Sequence, residues 1–428
     1  MNMASSEVSS APGPNAELYA QREQRFNDVV ALKKPDRVPL VPLVLHYFPT
    51  RIKGISNREA GYDHKVRMDA LRDATLEFGW DFAPPNGMFG HDGYEALATK
   101  QFRWPGGDLP DNDPFQFVEN EYVKADEVDA FLADPNGFTL TTILPRISGG
   151  LEGLGQVPIP PLYWFSNMYN LQSVGGPLFA SPPLRKALRT MLDLADAADA
   201  SNAAVGAYVG QMTGMGYPVT WAIATIPAFD LVSDTLRSLR GSTLDMFRQP
   251  QKLLATIDLM HVPTVALAVY GAKMLGNPRV FIPMHRGAGG FMSDELFERF
   301  YWPTFVALIE ALLAEGLVPM PLFEGDYTPR LKYLAQLPPG KIAAHFDRID
   351  RKKFKEVCGD TMCFWGNVPS SMLATGTPRQ VKDDVKELLD LFGDTGGLML
   401  DGVGGFPDEA RPENVMALRE AADEYGVY

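Results

Sequence analysis

In the second half of the chain, short β-rich apolar runs alternate with longer segments whose apolar residues recur every three to four positions. Arg279–His285 (RVFIPMH), Leu317–Phe323 (LVPMPLF), Lys341–Phe346 (KIAAHF), Thr361–Gly366 (TMCFWG) and Gly397–Leu400 (GLML) are runs of strand length, separated by enough residues for crossover helices. The last of these helices is well marked. Thr377 is placed to cap it, Pro378 suits its first turn, and Val381, Val385, Leu388, Leu389 and Phe392 fall on one face. Repeated strand-then-helix order of this kind builds a parallel sheet with right-handed crossovers.

The first half carries Val38–Leu45 (VPLVPLVL) and Trp80–Pro84 (WDFAP) as further strands, with a helical segment over about 64–78 between them. Leu162–Ser166 reads as another strand, and Val219–Ala224 as a concealed one. The total is about eight, the number that closes a barrel. The expected fold class is therefore α/β: a single (β/α)8 TIM-like barrel with a long insertion in the N-terminal half. Residues 85–160, rich in Gly, Pro, Asp and Asn (WPGGDLPDNDP at 104–114), form that insertion as an excursion over one barrel end. Residues 1–19 are expected to be a disordered tail, leaving 20–428 as the barrel domain.

Composition changes this picture by exclusion. A chain of 428 residues with 46% hydrophobic and 21% charged residues can bury a sizeable core. Its net charge of −14 sets up a field that repels phosphate backbones and anionic lipid, so neither nucleic acid nor a membrane is an expected partner. The nearest approach to a membrane span, Phe305–Met320, is broken by Glu310 and Glu315. The polar start lacks the basic and apolar parts of a secretory signal. Two cysteines, Cys358 and Cys363, are too few for a disulfide framework or an all-cysteine metal site, which points to a cytoplasmic location.

In a parallel barrel the C-terminal strand ends share one mouth. The polar residues there are His46, Asp81, His285, Arg286, Glu324, Asp326, His345, Asp347, Asn367 and Asp401, several flanked by glycines that permit close approach. Among these, His285, Glu324, Asp347 and Asp81 are the candidates for catalysis, and His46, Arg286, Asn367 and Asp401 for substrate binding. Each has a bland alternative: a lone histidine such as His46 is more often a hydrogen-bonded structural residue, Asp350 reads as the cap of a helix starting near Arg351, and Glu324 could simply accept bonds from the next turn. The G-x-S-x-G elbow, H-E-x-x-H pair, G-x-x-x-x-G-K-[ST] loop and C-x-x-C pair are absent.

Four stretches give the chain a family likeness: DRVPLVP at 36–42, GAGGFMSDELFERFYWP at 287–303, LFEGDYTPRL at 322–331, and GNVPSSMLATGTPRQV at 366–381 with the late RPENVMALREAADEYG at 411–426. In these the sequence resembles the uroporphyrinogen decarboxylase superfamily, which also holds the corrinoid-linked coenzyme M methyltransferases. The resemblance implies a (β/α)8 barrel with its site at the C-terminal mouth. The chain departs from both branches. Leu322, Phe323, Glu324 and Gly325 stand where the methyltransferases carry an H-x-C-G zinc segment, and the Val403–Gly404 region replaces a late cysteine. His46, Tyr47, Phe48, Pro49, Thr50 and Arg51 stand where the decarboxylases carry an arginine-rich segment for substrate carboxylates.

Three readings follow: methyl or one-carbon transfer on a small organic substrate, cofactor-free decarboxylation by a lyase, and a barrel that binds without catalysis. The RVPLVP and GNVP segments are more similar to the methyltransferase side. That reading brings a divalent metal, with Glu324 and His285 as candidate ligands, and a corrinoid protein as candidate partner. A homodimer is the general expectation for a cytoplasmic barrel. Cys358, at a helix end, and Cys363, within a strand, read as small packing groups; replacing both by alanine should leave the metal content of the purified protein unchanged, as elemental analysis would show.

Overall fold

The computed structural model describes residues 15–45, 47–85 and 90–428. Its centre is an all-parallel six-stranded sheet in chain order: β1 (Ile223–Ala224), β2 (Arg279–Met284), β3 (Val318–Asp326), β4 (Ala343–Arg348), β5 (Cys363–Trp365) and β6 (Leu398–Met399). The strands expected from Arg279 onward are consecutive neighbours, as their spacing required. The helices used below are α1 (Ala16–Val30), α2 (His64–Glu77), α3 (Pro182–Gly214), α4 (Ala228–Val232), α5 (Pro250–Leu275), α6 (Trp302–Ala314), α7 (Arg351–Cys358), α8 (Pro378–Phe392) and α9 (Pro412–Tyr425).

Side chains alternate across this sheet with period two. Residues 281, 320, 322, 343, 363, 365 and 399 belong to one cluster that also takes in Val41, Leu43, Phe82 and Trp221. Residues 280, 282, 323, 344, 346, 364 and 398 belong to the larger cluster formed with the helices. The first cluster is plugged at one end by Phe26, Val29 and Val30 of α1. Buried on both faces, the strands read as continuous apolar runs.

The expected strands Val38–Leu45 and Trp80–Pro84 are extended segments held by single bridges. Leu40 pairs in parallel with Leu400, the Asp81 N–H donates to the Leu40 carbonyl at 2.9 Å, and Ala83 pairs in parallel with Val219 just before β1. Pro39, Pro42, Pro84 and Pro218 lack the N–H a continuous ladder needs. These contacts lead from β6 back to β1.

Three expectations are corrected. Leu162–Phe165 is a turn of 3₁₀ helix and not a strand: Pro158, Pro160 and Pro161 precede it, and Tyr163 is 77% exposed, so no second sheet face is available to bury it. Residues 16–19, assigned to the tail, form the first turn of α1, whose Arg25 and Glu23 are ion-paired to the body; residues 1–14 lie outside the described residues. The longest apolar helix is α5, not the Phe305–Met320 segment. Two cap assignments hold. Thr377 and Gln380 make a capping box on α8, and the Asp350 side chain accepts the Lys353 N–H on α7. Cys358 and Cys363 are both buried and free, and burial pushes each thiol up to about 12.

Asp81 is set at the start of its segment, beside α1 and so away from the C-terminal strand ends. Fully buried, it receives Arg25 at 2.6 Å, Arg37 at 2.5 Å and the Leu40 N–H at 2.8 Å. Its oxygens are consumed in tying α1 to the sheet, which is a structural reason for an aspartate here. Asp81→Ala would leave two guanidinium groups without their shared buried partner, and should cost about 3–5 kcal/mol of unfolding free energy. A urea titration measures this; a catalytic Asp81 would instead lose turnover at unchanged stability.

Candidate active site at the C-terminal strand ends

The register of the sheet builds the site. Met284 pairs with Phe323, Phe323 with Phe346, His345 with Trp365, and Trp365 with Met399. Continued beyond the strand pairs, that register sets His285, Glu324, Asp347, Asn367 and Asp401 in one row. Three of them draw close together. The His285 Nε2 lies 3.7 Å from Glu324 Oε1, and Asp347, the next in the row, is near enough for its charge to act on Glu324. A register shift after Phe323 is absorbed at Gly325, at φ 81°, whose N–H donates to Asp347 Oδ2 at 2.9 Å.

A second layer, from α4 and the turn after it, holds this row from behind. Asp230 is fully buried and its carboxylate accepts the backbone N–H of both His285 and Arg286 at 3.0 Å, together with the Tyr301 hydroxyl at 2.7 Å. One helical turn on, Asp234 accepts His285 Nδ1 at 2.5 Å through one oxygen and Arg286 Nη2 at 2.9 Å through the other. Arg286 Nε also donates to Ser233 Oγ at 3.1 Å. Asp230 and Asp234 did not figure among the sequence candidates. The signal was there: two carboxylates four residues apart on one helical face, directly after the concealed strand.

The electrostatics follow from this enclosure. Burial by itself lowers the His285 pKa, but the Asp234 hydrogen bond and the Glu324, Asp234 and Asp230 charges outweigh it and raise the imidazole to about 9. Burial pushes Asp230 up to about 7 against the opposing pull of His285 and the Tyr301 hydroxyl. Glu324 is also raised, first by loss of solvation, against His285 and with the help of Asp347 and Asp234. At neutral pH His285 keeps its proton, held between the Asp234 and Glu324 side chains with Nε2 toward Glu324. Glu324 keeps 43% of its side chain exposed, so this proton is near solvent and any bound molecule.

The remaining candidates are placed differently. Asn367 is in the row, yet its Oδ1 and carbonyl accept Arg351, which is in turn paired to Asp384 at 2.9 Å. Asp401 is fully buried and accepts the Leu43 and Gly402 N–H groups and His345 Nε2 at 3.2 Å. Asp81 is at the far end of the sheet. His46 lies outside the described residues. Glu324 accepts no bond from the following turn; Asp326 takes the Thr328 N–H there.

A divalent metal on His285 and Glu324 fits this donor set poorly. Among the described residues no three His, Cys, Asp or Glu side chains gather in a metal-holding group. The His285 ring gives Nδ1 to Asp234 and has Nε2 as the one nitrogen a cation could take, on loss of its proton, beside Glu324.

An α/β protein with convergent ionisable groups at the C-terminal ends of parallel strands is the class that fold and site define together. Residues 228–425 match the family described as Uroporphyrinogen decarboxylase (URO-D), a stretch that runs from α4 through β2–β6 to α9. A methyltransferase from Methanosarcina mazei shares the fold, with a TM-score of 0.61 over 94% of this chain and 98% of that chain at 16% identity. No curated protein matches by sequence. The family match over 228–425 and the shared fold together support the likeness read in the sequence, that of a divergent URO-D-like protein.

The raised groups give stability a definite pH slope. Folded Asp230 keeps a proton that the unfolded chain releases near 3.8, so its contribution falls as pH rises from about 4 to 7. His285, raised from 6.5, contributes stability that is fully present below about 6.5 and lost as pH rises through about 9. Urea titrations between pH 6 and 10 should show that loss. Asp234→Asn, which removes the strongest group raising His285, should flatten it.

Proposed function

We propose that the chain is a one-carbon-transfer enzyme of the URO-D superfamily, built as a closed (β/α)8 barrel in which the Val38–Leu45 and Trp80–Pro84 segments complete the circle. Its substrate is a small organic methyl donor bound at the C-terminal mouth, and its setting is the cytoplasm. The observation that carries this reading is His285, held as a cation by Asp234 with Nε2 turned 3.7 Å from Glu324. In such a transfer the bond between the methyl carbon and a donor heteroatom breaks, the electron pair stays on the heteroatom, and the His285 Nε2 proton neutralises it. A nucleophilic acceptor forms the new bond to carbon. Glu324, facing the proton donor and 43% exposed, takes up a proton from solvent and passes it to the neutral imidazole, which restores the donor. A corrinoid protein or a thiol is the acceptor class we assign. The methyltransferase fold shared over most of the chain supports this reading.

Decarboxylation has one observation in its favour: Arg286, adjacent to the same proton donor and 18% exposed, offers a contact for a substrate carboxylate. His285 would then protonate carbon as carbon dioxide leaves. The assay that separates the two follows an isotopically labelled methyl group from methoxylated or methylthio donors to a corrinoid or thiol, with carbon dioxide release from carboxylate substrates measured in parallel. Labelled acceptor supports transfer; carbon dioxide alone overturns it in favour of a lyase. Ligand retention without either product makes the barrel a binding protein.

With a substrate in hand, His285→Gln should lower kcat by about 10²–10⁴-fold. Glu324→Gln, nearly isosteric, should abolish turnover while the melting temperature changes little. Retained activity in the second variant would return Glu324 to a purely structural role.

A further inference from the structure

Five arginines are buried among the described residues, and the fold supplies four of them with a carboxylate. Arg25 is paired to Asp36 and Asp81, Arg237 to Asp245 and Glu121, Arg279 to Glu23, and Arg330 to Asp294. The fifth, Arg67 on α2, is 2% exposed and pairs with no carboxylate among the described residues. Its Nη1 donates to the Ala60 carbonyl at 2.8 Å and its Nη2 to His64 Nδ1 at 3.0 Å, while its Nε–H is buried without an acceptor. The carboxylates whose charge reaches it are engaged elsewhere: Asp92 accepts His64 Nε2 at 2.9 Å, and Asp63 caps α2 through the Val66 N–H. Burial lowers the guanidinium to about 10, which leaves it a cation at neutral pH. A buried cation without a partner is costly, so an anion from outside the chain is what this one lacks.

The surroundings of Arg67 suit a carboxylate. Tyr47 is fully buried with its hydroxyl 3.3 Å from His91 Nε2, and both side chains are near enough for the Arg67 charge to act on them. Gly61 makes room for the His91 ring, since a Cβ there would stand 1.9 Å from its Nδ1. Burial lowers His91 to about 4 and raises Tyr47, so at neutral pH the ring is uncharged and the hydroxyl keeps its proton. Tyr94 stacks on His91 at 6.0 Å and Tyr62 meets it edge-on at 5.6 Å, which walls the polar atoms with aromatic rings. One fixed positive charge beside neutral donors compensates a monoanion; a doubly charged phosphate would keep a buried charge of its own.

The cluster belongs to the same end of the sheet as His285. The Val38–Leu45 segment runs parallel to β6 through the Leu40–Leu400 bridge, Tyr47 follows its C-terminal end, and the Tyr47 N–H donates at 2.7 Å to Asp408 in the loop after β6. We propose that Arg67, Tyr47 and His91 form a binding site for the carboxylate of a small organic acid, with the Arg67 Nε–H and the Tyr47 hydroxyl donating to its oxygens. That this acid is the substrate of the His285 site rests on the reading given above; the binding itself does not.

The test is isothermal titration calorimetry of the full chain at neutral pH, with sodium benzoate as probe, benzamide as its neutral isostere and inorganic phosphate as the competing anion. Benzoate should bind, and benzamide about tenfold or more weakly. Arg67→Gln should weaken benzoate by about tenfold or more and Tyr47→Phe by about threefold to tenfold, whereas Arg286→Gln should leave its affinity unchanged. Melting temperatures separate binding from folding: benzoate should raise that of the wild type and not that of Arg67→Gln. Should Arg67→Gln fail to fold, Tyr47→Phe, which removes a single hydroxyl, decides the matter by its loss of affinity. A wild type that does not bind benzoate, benzamide bound equally well, phosphate bound more tightly, or affinity lost in Arg286→Gln and kept in Arg67→Gln would each overturn the site. Benzoate binding that depends on Arg67, in a protein that transfers no methyl group, would remove the reaction and leave the site.

Discussion

Parallel pairing in shared register is the constraint on which everything else in this molecule rests. Each strand enters from the same end, so each ends on the same side, and the residue following the last pair is fixed in a row with its neighbours. His285, Glu324 and Asp347 are adjacent because Met284, Phe323 and Phe346 are paired. A slip of one residue in β3 would turn Glu324 from the inner face to the helix-packed face and carry Phe323 the other way. The aromatic contacts of Phe323 with Phe346 and Tyr327 on that outer side oppose such a slip. Packing on one face thereby positions charge on the other.

The row has the right spacing but not, by itself, the right chemistry. Three ionisable groups side by side would repel or pair at random without the layer behind them. Asp230 fixes the backbone at His285 and Arg286, and Asp234 fixes their side chains, so a single turn after β1 determines which nitrogen of His285 faces outward. This is the logic of a proton donor oriented by a third group. It also explains why a fully buried carboxylate persists at 230: three donors converge on it, and an apolar replacement would leave two backbone N–H groups unsatisfied.

The two ends of the sheet use charge in opposite ways. At the α1 end, Asp81 is saturated by Arg25, Arg37 and a backbone N–H, and the neighbouring Arg279 is taken up by Glu23 and two carbonyls. Those charges are compensated within the fold and stabilise the join between α1 and the strands. At the other end His285 and Glu324 are left facing one another across 3.7 Å with solvent at hand. Closed pairs secure the structure, while incompletely closed ones stay available to a substrate.

Local pattern carried a good deal of this into the sequence. The period-two alternation in RVFIPMH and LVPMPLF, the helix between them and the capping residues Thr377 and Asp350 depend on contacts within a few positions of one another, so the sequence by itself determined the parallel strands from Arg279 onward, their order and the residues that end them. Glu324, His285 and Asp347 were legible as neighbours for the same reason. What it could not determine was which polar strand-end residues are free to act. Asp81, Asn367 and Asp401 look like the others in one dimension, and only long-range partners separate them: Arg25 and Arg37, Arg351, and His345 with the Leu43 N–H. Asp234 was hidden for the converse reason, since its role exists only once α4 packs against the end of β2, 51 residues later in the chain. Hydrogen-bond partners that distant are chosen by topology, and only the tertiary structure decided which charges are satisfied and which are left to do chemistry.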